Sequence, residues 1–135
     1  MFDLTGRIAV VTGASAGLGR GEAIALARQG ADVAIIARRA EKLDEVAAEI
    51  RGLGRRCLPV VCDVTEPEQI ESAIGQVIAE YGKVDILVNN TGGGPSAPLE
   101  DISDEMFMYH VQLELMATFR FTRGFGKYML ERGYG

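Results

Sequence analysis

Two cysteines, one histidine and no long apolar run put several kinds of protein out of reach of this 135-residue chain. Cys57 and Cys62 fall on one predicted strand at an odd separation, which points them to opposite faces and keeps them from pairing. Their spacing matches neither a CxxC redox motif nor a zinc knuckle, so both read as small buried hydrophobes and no metal site is expected. The opening MFDLTGRIAVV lacks the basic stretch, apolar core and small-residue cleavage site of a secretory leader. A membrane span needs roughly 20 consecutive apolar residues, and no stretch approaches that. The expected setting is soluble, reducing and cytoplasmic. Positive charge is also scarce, with 14 Lys and Arg against 19 Asp and Glu for a net charge of −5. A surface that coats phosphates needs clustered cations, so general affinity for nucleic acid is not expected. Low-complexity tracts and acidic tails are missing too. What remains is a chain of 47% hydrophobic residues that fits one domain, residues 1–135.

The apolar residues come in four short runs: RIAVVT (7–12), ADVAIIA (31–37), CLPVVCD (57–63) and VDILVNN (84–90). They are continuous rather than alternating, the pattern of strands covered on both faces in a parallel sheet. Helical patterns lie between them. Over 18–29, Ala23, Leu26 and Ala27 share a face while Arg20, Glu22 and Arg28 face water. Over 40–51, Leu43, Val46, Ala47 and Ile50 oppose Glu41, Asp44, Glu45 and Glu49. Thr65 followed by Glu68 reads as a capping box opening a third helix, with Pro67 in its first turn and Gly82 as its stop. Ile70, Ala73, Ile74 and Val77 form that helix's buried stripe. Strand and helix alternate four times, which predicts an α/β fold with a doubly wound parallel sheet of Rossmann type. After TGGGPSAP (91–98), too rich in Gly and Pro for regular structure, a long helix is expected over 104–131. Ser103 would cap it, and Asp104 and Glu105 suit its dipole.

The stretch VVTGASAGLG sets Gly13, Gly17 and Gly19 between the first strand and the first helix. Glycine there adopts positive φ, or lets a diphosphate approach backbone that a Cβ would shield. Unpaired N–H groups and the positive end of the helix then face the anion. A tight turn without a ligand is the alternative, but the position inside a βαβ unit favours dinucleotide binding. No Gly-Lys-Ser/Thr follows, which excludes a P-loop.

TGASAGLG resembles the TGxxxGxG of the short-chain dehydrogenase/reductases, and further matches follow in order: CDV at 62–64 and VDILVNNTG at 84–92, close to that family's NNAG. TRGFGKYMLERGYG (122–135) is similar to the segment before its fifth strand. The resemblance covers the chain. It implies an NAD(P)-binding domain, incomplete at its C-terminal end after a fourth strand and a long helix, from an oxidoreductase interconverting an alcohol and a ketone by hydride transfer. The cofactor contacts it implies are Gly13, Ser15, Gly17, Leu18, Gly19, Arg38, Asp63, Val64, Asn90 and Gly92. Asp63 would accept from the adenine amine with the Val64 backbone beside it, and Asn89 and Asn90 would shape the nicotinamide ribose pocket. Thr91 stands where the family has alanine. NAD-preferring members end the second strand with an acidic residue; Ala37, Arg38 and Arg39 stand here and favour NADP(H), with NAD still possible. Ser15 would add a hydroxyl to the same phosphate.

The family's catalytic half does not appear. Hydride transfer there uses a Tyr with a Lys four places on, yet Tyr81, Tyr109 and Tyr128 are followed at that spacing by Asp85, Leu113 and Arg132, and Tyr134 by nothing. Glu114 aligns with the family's helix Asn, and Glu cannot donate as an amide does unless protonated. His110 has no Ser or Asp partner that the sequence can place beside it. No catalytic residue is assigned. MFMYHVQLELMATFRF (106–121) reads as packing surface, or as the subunit contact that the resemblance implies for a homo-oligomer. The expectation is that these residues alone bind cofactor weakly, self-associate through an uncovered strand edge, and reduce no small-molecule ketone. The rival reading is a non-catalytic nucleotide-binding or interaction module. A methyltransferase would place an acidic residue where Ala37 and Arg38 stand.

Overall fold

Buried branched side chains define the sheet of the computed structural model, which describes residues 2–135. Strands Ile8–Thr12 (β1), Asp32–Ala37 (β2), Cys57–Val61 (β3) and Ile86–Val88 (β4) run parallel in the order β3-β2-β1-β4. Val10 pairs with Ala34 on one side and Leu87 on the other, so β1 is central. Helices Gly17–Arg28 (α1), Ala40–Gly52 (α2) and Pro67–Tyr81 (α3) make the crossovers. Asp104–His110 (α4), the π-helical Val111–Met116 and Ala117–Arg132 (α5) follow the glycine-rich loop. This is the doubly wound α/β arrangement.

Alternation along the strands splits the core in two. Ala9, Val11, Val33 and Ile35 pack with Ala23, Ile24 and Ala27 of α1 and Leu43, Val46, Ala47 and Ile50 of α2. Val10, Ala34, Ile36 and Val60 meet Ile70, Ala73 and Val77 of α3 and Phe121 and Phe125 of α5. Cys57 belongs to the first layer and Cys62 to the second; both thiols are free. Burial pushes the Cys57 thiol up to about 12 against the nearby Arg51 cation, and burial with the Asp63 charge pushes Cys62 up to about 11.

Several sequence expectations change in detail. Glu22 is half-buried rather than water-facing. The capping box at Thr65 does not form: α3 starts at Pro67 with Glu66 before it and no side-chain cap. The Thr65 hydroxyl donates instead to Asp63 Oδ1 at 2.7 Å, which also accepts the Thr65 N–H at 3.0 Å. Gly82, at φ 72°, does stop α3, and the Ser103 oxygen caps α4 by accepting the Met106 N–H at 3.1 Å. The long helix is broken in character, because its middle turn is π-helical. The aromatic stretch is only partly packing surface: Phe121 is buried, whereas Phe107, Met108, Leu115 and Phe119 are exposed.

A buried carboxylate fixes the amino ends of the strands. Asp85 Oδ2 accepts the Ile8 N–H at 2.8 Å and pairs with Lys83 Nζ at 2.8 Å, while Oδ1 accepts from Arg132 Nη2 at 3.0 Å. The chain entering β4 is thereby tied to the start of β1 and the last turn of α5. Burial by itself would raise the Asp85 pKa, but Lys83, the Ile8 amide and Arg132 outweigh it and hold it below the usual carboxylate range. Asp85→Asn should cost about 2 kcal/mol in urea unfolding at pH 7, less than a fully buried pair because its cationic partners reach water. The folded pKa is depressed, so this stabilisation is complete above the unfolded value of about 4 and is lost as pH falls through the folded one. The gap between the two proteins should therefore narrow in acid, and a gap independent of pH would contradict the role. Neither cysteine should react with a thiol reagent at pH 8 in the native chain, and both should react in denaturant.

Candidate functional site

The turn leaving β1 is held against the end of β4 by one hydroxyl and one amide. Thr12 Oγ1 donates to the Val88 carbonyl at 3.4 Å and accepts the Asn90 N–H at 3.0 Å. Asn90 Nδ2 donates to the Thr12 and Gly13 carbonyls at 3.3 and 3.4 Å. That contact explains two of the three glycines. A Cβ on Gly13, at φ +64°, would lie 2.7 Å from the Asn90 carbonyl oxygen, and one on Gly19 would fall on Asn90 Nδ2 and the Gly13 carbonyl. Both positions are bare to admit protein. Gly17 differs: at φ +56° it needs left-handed backbone, and a Cβ there meets nothing within 4 Å.

The first turn of α1 is left uncapped. Ala16 precedes it in extended conformation and offers no side-chain acceptor. Among the described residues the N–H groups of Gly17, Leu18 and Gly19 find no protein acceptor. They therefore present unpaired donors and the positive helix end to whatever lies beyond. Beyond them is a cleft of about 380 Å³ across the carboxyl ends of the strands. Gly13, Ser15, Ala16 and Gly17 line it from the turn, Ala37, Arg38 and Arg39 from the end of β2, and Cys62 and Val64 from beyond β3. Asn90, Thr91 and Gly92 close the far side with Leu113.

Of the residues proposed from sequence, Gly13, Ser15, Gly17, Arg38, Val64, Asn90 and Gly92 meet in this cleft. Three stand apart from it. Leu18 projects its side chain to solvent, 79% exposed, and offers only its N–H. Gly19 packs its Cα against Asn90 and the Gly13 carbonyl behind the turn, and like Leu18 it has only its N–H to offer. Asp63 turns toward Thr65, which occupies Oδ1, and its N–H donates to Gln69 Oε1 at 2.8 Å. Burial raises the Asp63 pKa, but the Thr65 bonds and the Arg38 charge more than offset this, so the group is held below its usual range. Arg39, rather than Arg38, reaches Ser15 Oγ, at 3.4 Å. The Asn89 amide leaves the cleft and donates to Thr122 Oγ1 at 3.2 Å.

Sequence reasoning missed Leu113, which comes to the cleft from a distant helix with no local signal. It also left His110 without a partner. The structure supplies one, since His110 Nδ1 faces Glu114 Oε1 at 3.4 Å and Nε2 faces the Pro95 carbonyl at 2.9 Å. Thr91 donates to the Leu113 carbonyl at 3.3 Å, a bond that alanine lacks. A second cleft, of about 510 Å³, opens between α3 and α5, where it has cationic side chains but no glycine turn.

Gly19→Ala should destabilise the chain by about 1–3 kcal/mol in urea unfolding, since its new methyl displaces Asn90. Gly17→Ala should cost about 1 kcal/mol from left-handed strain alone, with Asn90 undisturbed. Equal costs, each accompanied by loss of the Asn90 contact, would contradict this division of roles.

The arrangement has counterparts among known proteins. The D-threitol dehydrogenase of Mycolicibacterium smegmatis is 37% identical over 99% of this chain. A short-chain type dehydrogenase/reductase from Mycobacterium marinum superposes with a TM-score of 0.93 at 37% identity over 99% of this chain. The L-sorbose reductase of Gluconobacter frateurii, solved with NADPH and L-sorbose, gives 0.93 at 34% identity over 98% of it. This chain spans 52%, 54% and 51% of those three, about half of each. The family model described as short chain dehydrogenase matches residues 7–135, from the first strand to the last residue, and the chain belongs to that family.

Proposed function

We propose that this chain forms the cofactor-binding part of an NAD(P)-dependent oxidoreductase that interconverts an alcohol and a ketone, with NADP(H) as the preferred cofactor. The observation that carries the reading is the uncapped first turn of α1, opening through Gly17 onto a cleft between the carboxyl ends of β1 and β4. Strand order reverses there, and ligands of open α/β sheets bind at such points. The N–H groups of Gly17, Leu18 and Gly19 would hold the diphosphate. Arg38 and Arg39, with the Ser15 hydroxyl, suit a 2′-phosphate, and the cleft carries no carboxylate from the end of β2 to repel it. Asp63 Oδ2 and the Val64 backbone would meet the adenine, and Asn90 and Gly92 the nicotinamide ribose.

Bound nicotinamide supplies the hydride donor or acceptor. The chain's own residues bind and orient that group. Without a Tyr and Lys at the family spacing, the reading gives these 135 residues no proton donor for a carbonyl. A cytoplasmic setting is part of the same reading. No helix among the described residues is long and apolar enough to cross a membrane. Exposed Phe107, Met108, Leu115 and Phe119 on one helical stretch support a homo-oligomer.

Glu114, standing where the family has Asn, favours a second reading as a non-catalytic nucleotide-binding module. The two part on the gene: a reading frame that goes on to a Tyr with a Lys four places later supports the oxidoreductase, and a frame without that pair supports the module.

Isothermal titration should give tighter binding of NADPH than of NADH, by about tenfold for each charge-assisted bond to the extra phosphate. Arg38→Ala and Arg39→Ala should each narrow that ratio and leave NADH affinity unchanged. Equal or tighter NADH binding would remove the arginines from this role, and no binding of either dinucleotide would overturn the oxidoreductase reading.

A further inference from the structure

Very little holds the glycine-rich loop 91–98. Gly93 and Gly94 adopt φ of +82° and +126°, and among the described residues no backbone hydrogen bond involves 91–97. Two side chains secure it: Thr91 through its bond to the Leu113 carbonyl, and His110 through the Pro95 carbonyl. The same loop supplies Thr91 and Gly92 to the cleft. Gly94 permits the close approach, since a Cβ there would stand 3.2 Å from His110 Cε1 and 3.3 Å from Tyr109 Cε1.

Both nitrogens of His110 face acceptors. A carbonyl oxygen can only accept, so Nε2 must carry a proton to bond Pro95. Neutral imidazole has one N–H, which leaves a bare Nδ1 lone pair against the Glu114 carboxylate. The two contacts coexist when the pair holds one further proton, most simply as imidazolium and carboxylate. The groups around the ring are Pro95 from the loop, Tyr109 edge-on from α4 and Glu114 from the π-helical turn; Glu114 is the charged one. Glu114 also faces the cleft side of the loop, its Oε1 being 3.9 Å from a Cβ built on Gly92.

We propose that His110 and Glu114 are positioning residues forming a proton-dependent latch, in which the imidazolium bridges the Pro95 carbonyl and the Glu114 carboxylate and fixes loop 91–98 beside the cleft. The Pro95 and Glu114 bonds hold the His110 pKa above its ordinary value. The latch is therefore closed below that raised value and opens as pH rises through it. Its effect on cofactor binding rests on the cleft reading above; the latch itself does not.

The test follows the His110 ring resonances and the ¹³Cα relaxation of Gly92, Gly93 and Gly94 in the 135-residue chain from pH 5.5 to 9, beside NADPH titrations. Loop motion should increase with a midpoint that tracks His110. Glu114→Gln should lower that midpoint, and His110→Ala should leave the loop mobile throughout. The ratio of NADPH affinity in the parent chain to that in His110→Ala, in which the titration of the 2′-phosphate cancels, should fall roughly fivefold over the same range, the low end for coupled equilibria. A loop indifferent to His110→Ala, or a His110 midpoint unmoved by Glu114→Gln, overturns the latch even if NADPH binds. A loop that responds while no dinucleotide binds supports the latch and overturns the cleft reading.

Discussion

Asn90 lies across the turn that leaves β1, its side-chain nitrogen over the Thr12 and Gly13 carbonyls and its N–H on the Thr12 hydroxyl. The shape of the cleft follows from that contact. It draws the ends of two strands together at the point where the sheet changes direction, and it fills the space that Gly13 and Gly19 leave empty. With the space over those two glycines occupied by protein, the turn that faces the cleft is that of Gly13, Ser15, Ala16 and Gly17, and it runs directly into the uncapped first turn of α1. A helix that begins with alanine in the capping position forgoes a stabilising bond of about 1 kcal/mol. Its free amides are donors that an anion can complete.

The two ends of the sheet are built on opposite principles. At the amino ends, Asp85 is enclosed by Lys83, Arg132 and the Ile8 amide, so every oxygen is engaged and the strands are fixed in register. At the carboxyl ends, among the described residues, donors are left over: three amides of α1, the Arg38 guanidinium, the Ser15 hydroxyl hydrogen, and the Arg39 N–H groups other than the one that reaches Ser15 Oγ. Satisfaction at one end gives a rigid platform, and the surplus at the other gives it something to bind. The loop after β4 stands between these regimes: among the described residues its stretch 91–97 is secured by the Thr91 and His110 side chains and by no backbone hydrogen bond.

Much of this was legible in the residues. The two inner strands β1 and β2 declare themselves because both faces are buried, which makes their apolar runs continuous; β3 and β4 at the edges carry continuous runs too but are only partly buried, and α2 is read correctly because Leu43, Val46, Ala47 and Ile50 all face inward. The glycines were legible in position but not in purpose, since their partner Asn90 lies far along the chain and only folding brings it over them. Thr65 misled because Asp63, two residues earlier, competes for its hydroxyl and wins. The π-helical turn was hidden because a single widened turn barely disturbs a 3.6-residue pattern. The spacing of His110 and Glu114 was in plain view as an i,i+4 pair, but its meaning depends on Pro95, which no local pattern connects to it.

The central claim is that the unpaired amides opening α1 receive the diphosphate of a dinucleotide. It is tested most directly by following backbone amide resonances during titration with NADPH, and in parallel with nicotinamide riboside, which carries no phosphate. The amides of Gly17, Leu18 and Gly19 should shift first and furthest with NADPH and stay in place with the riboside. Saturable NADPH binding that leaves those three unmoved, or that shifts the cleft between α3 and α5 instead, would contradict the account.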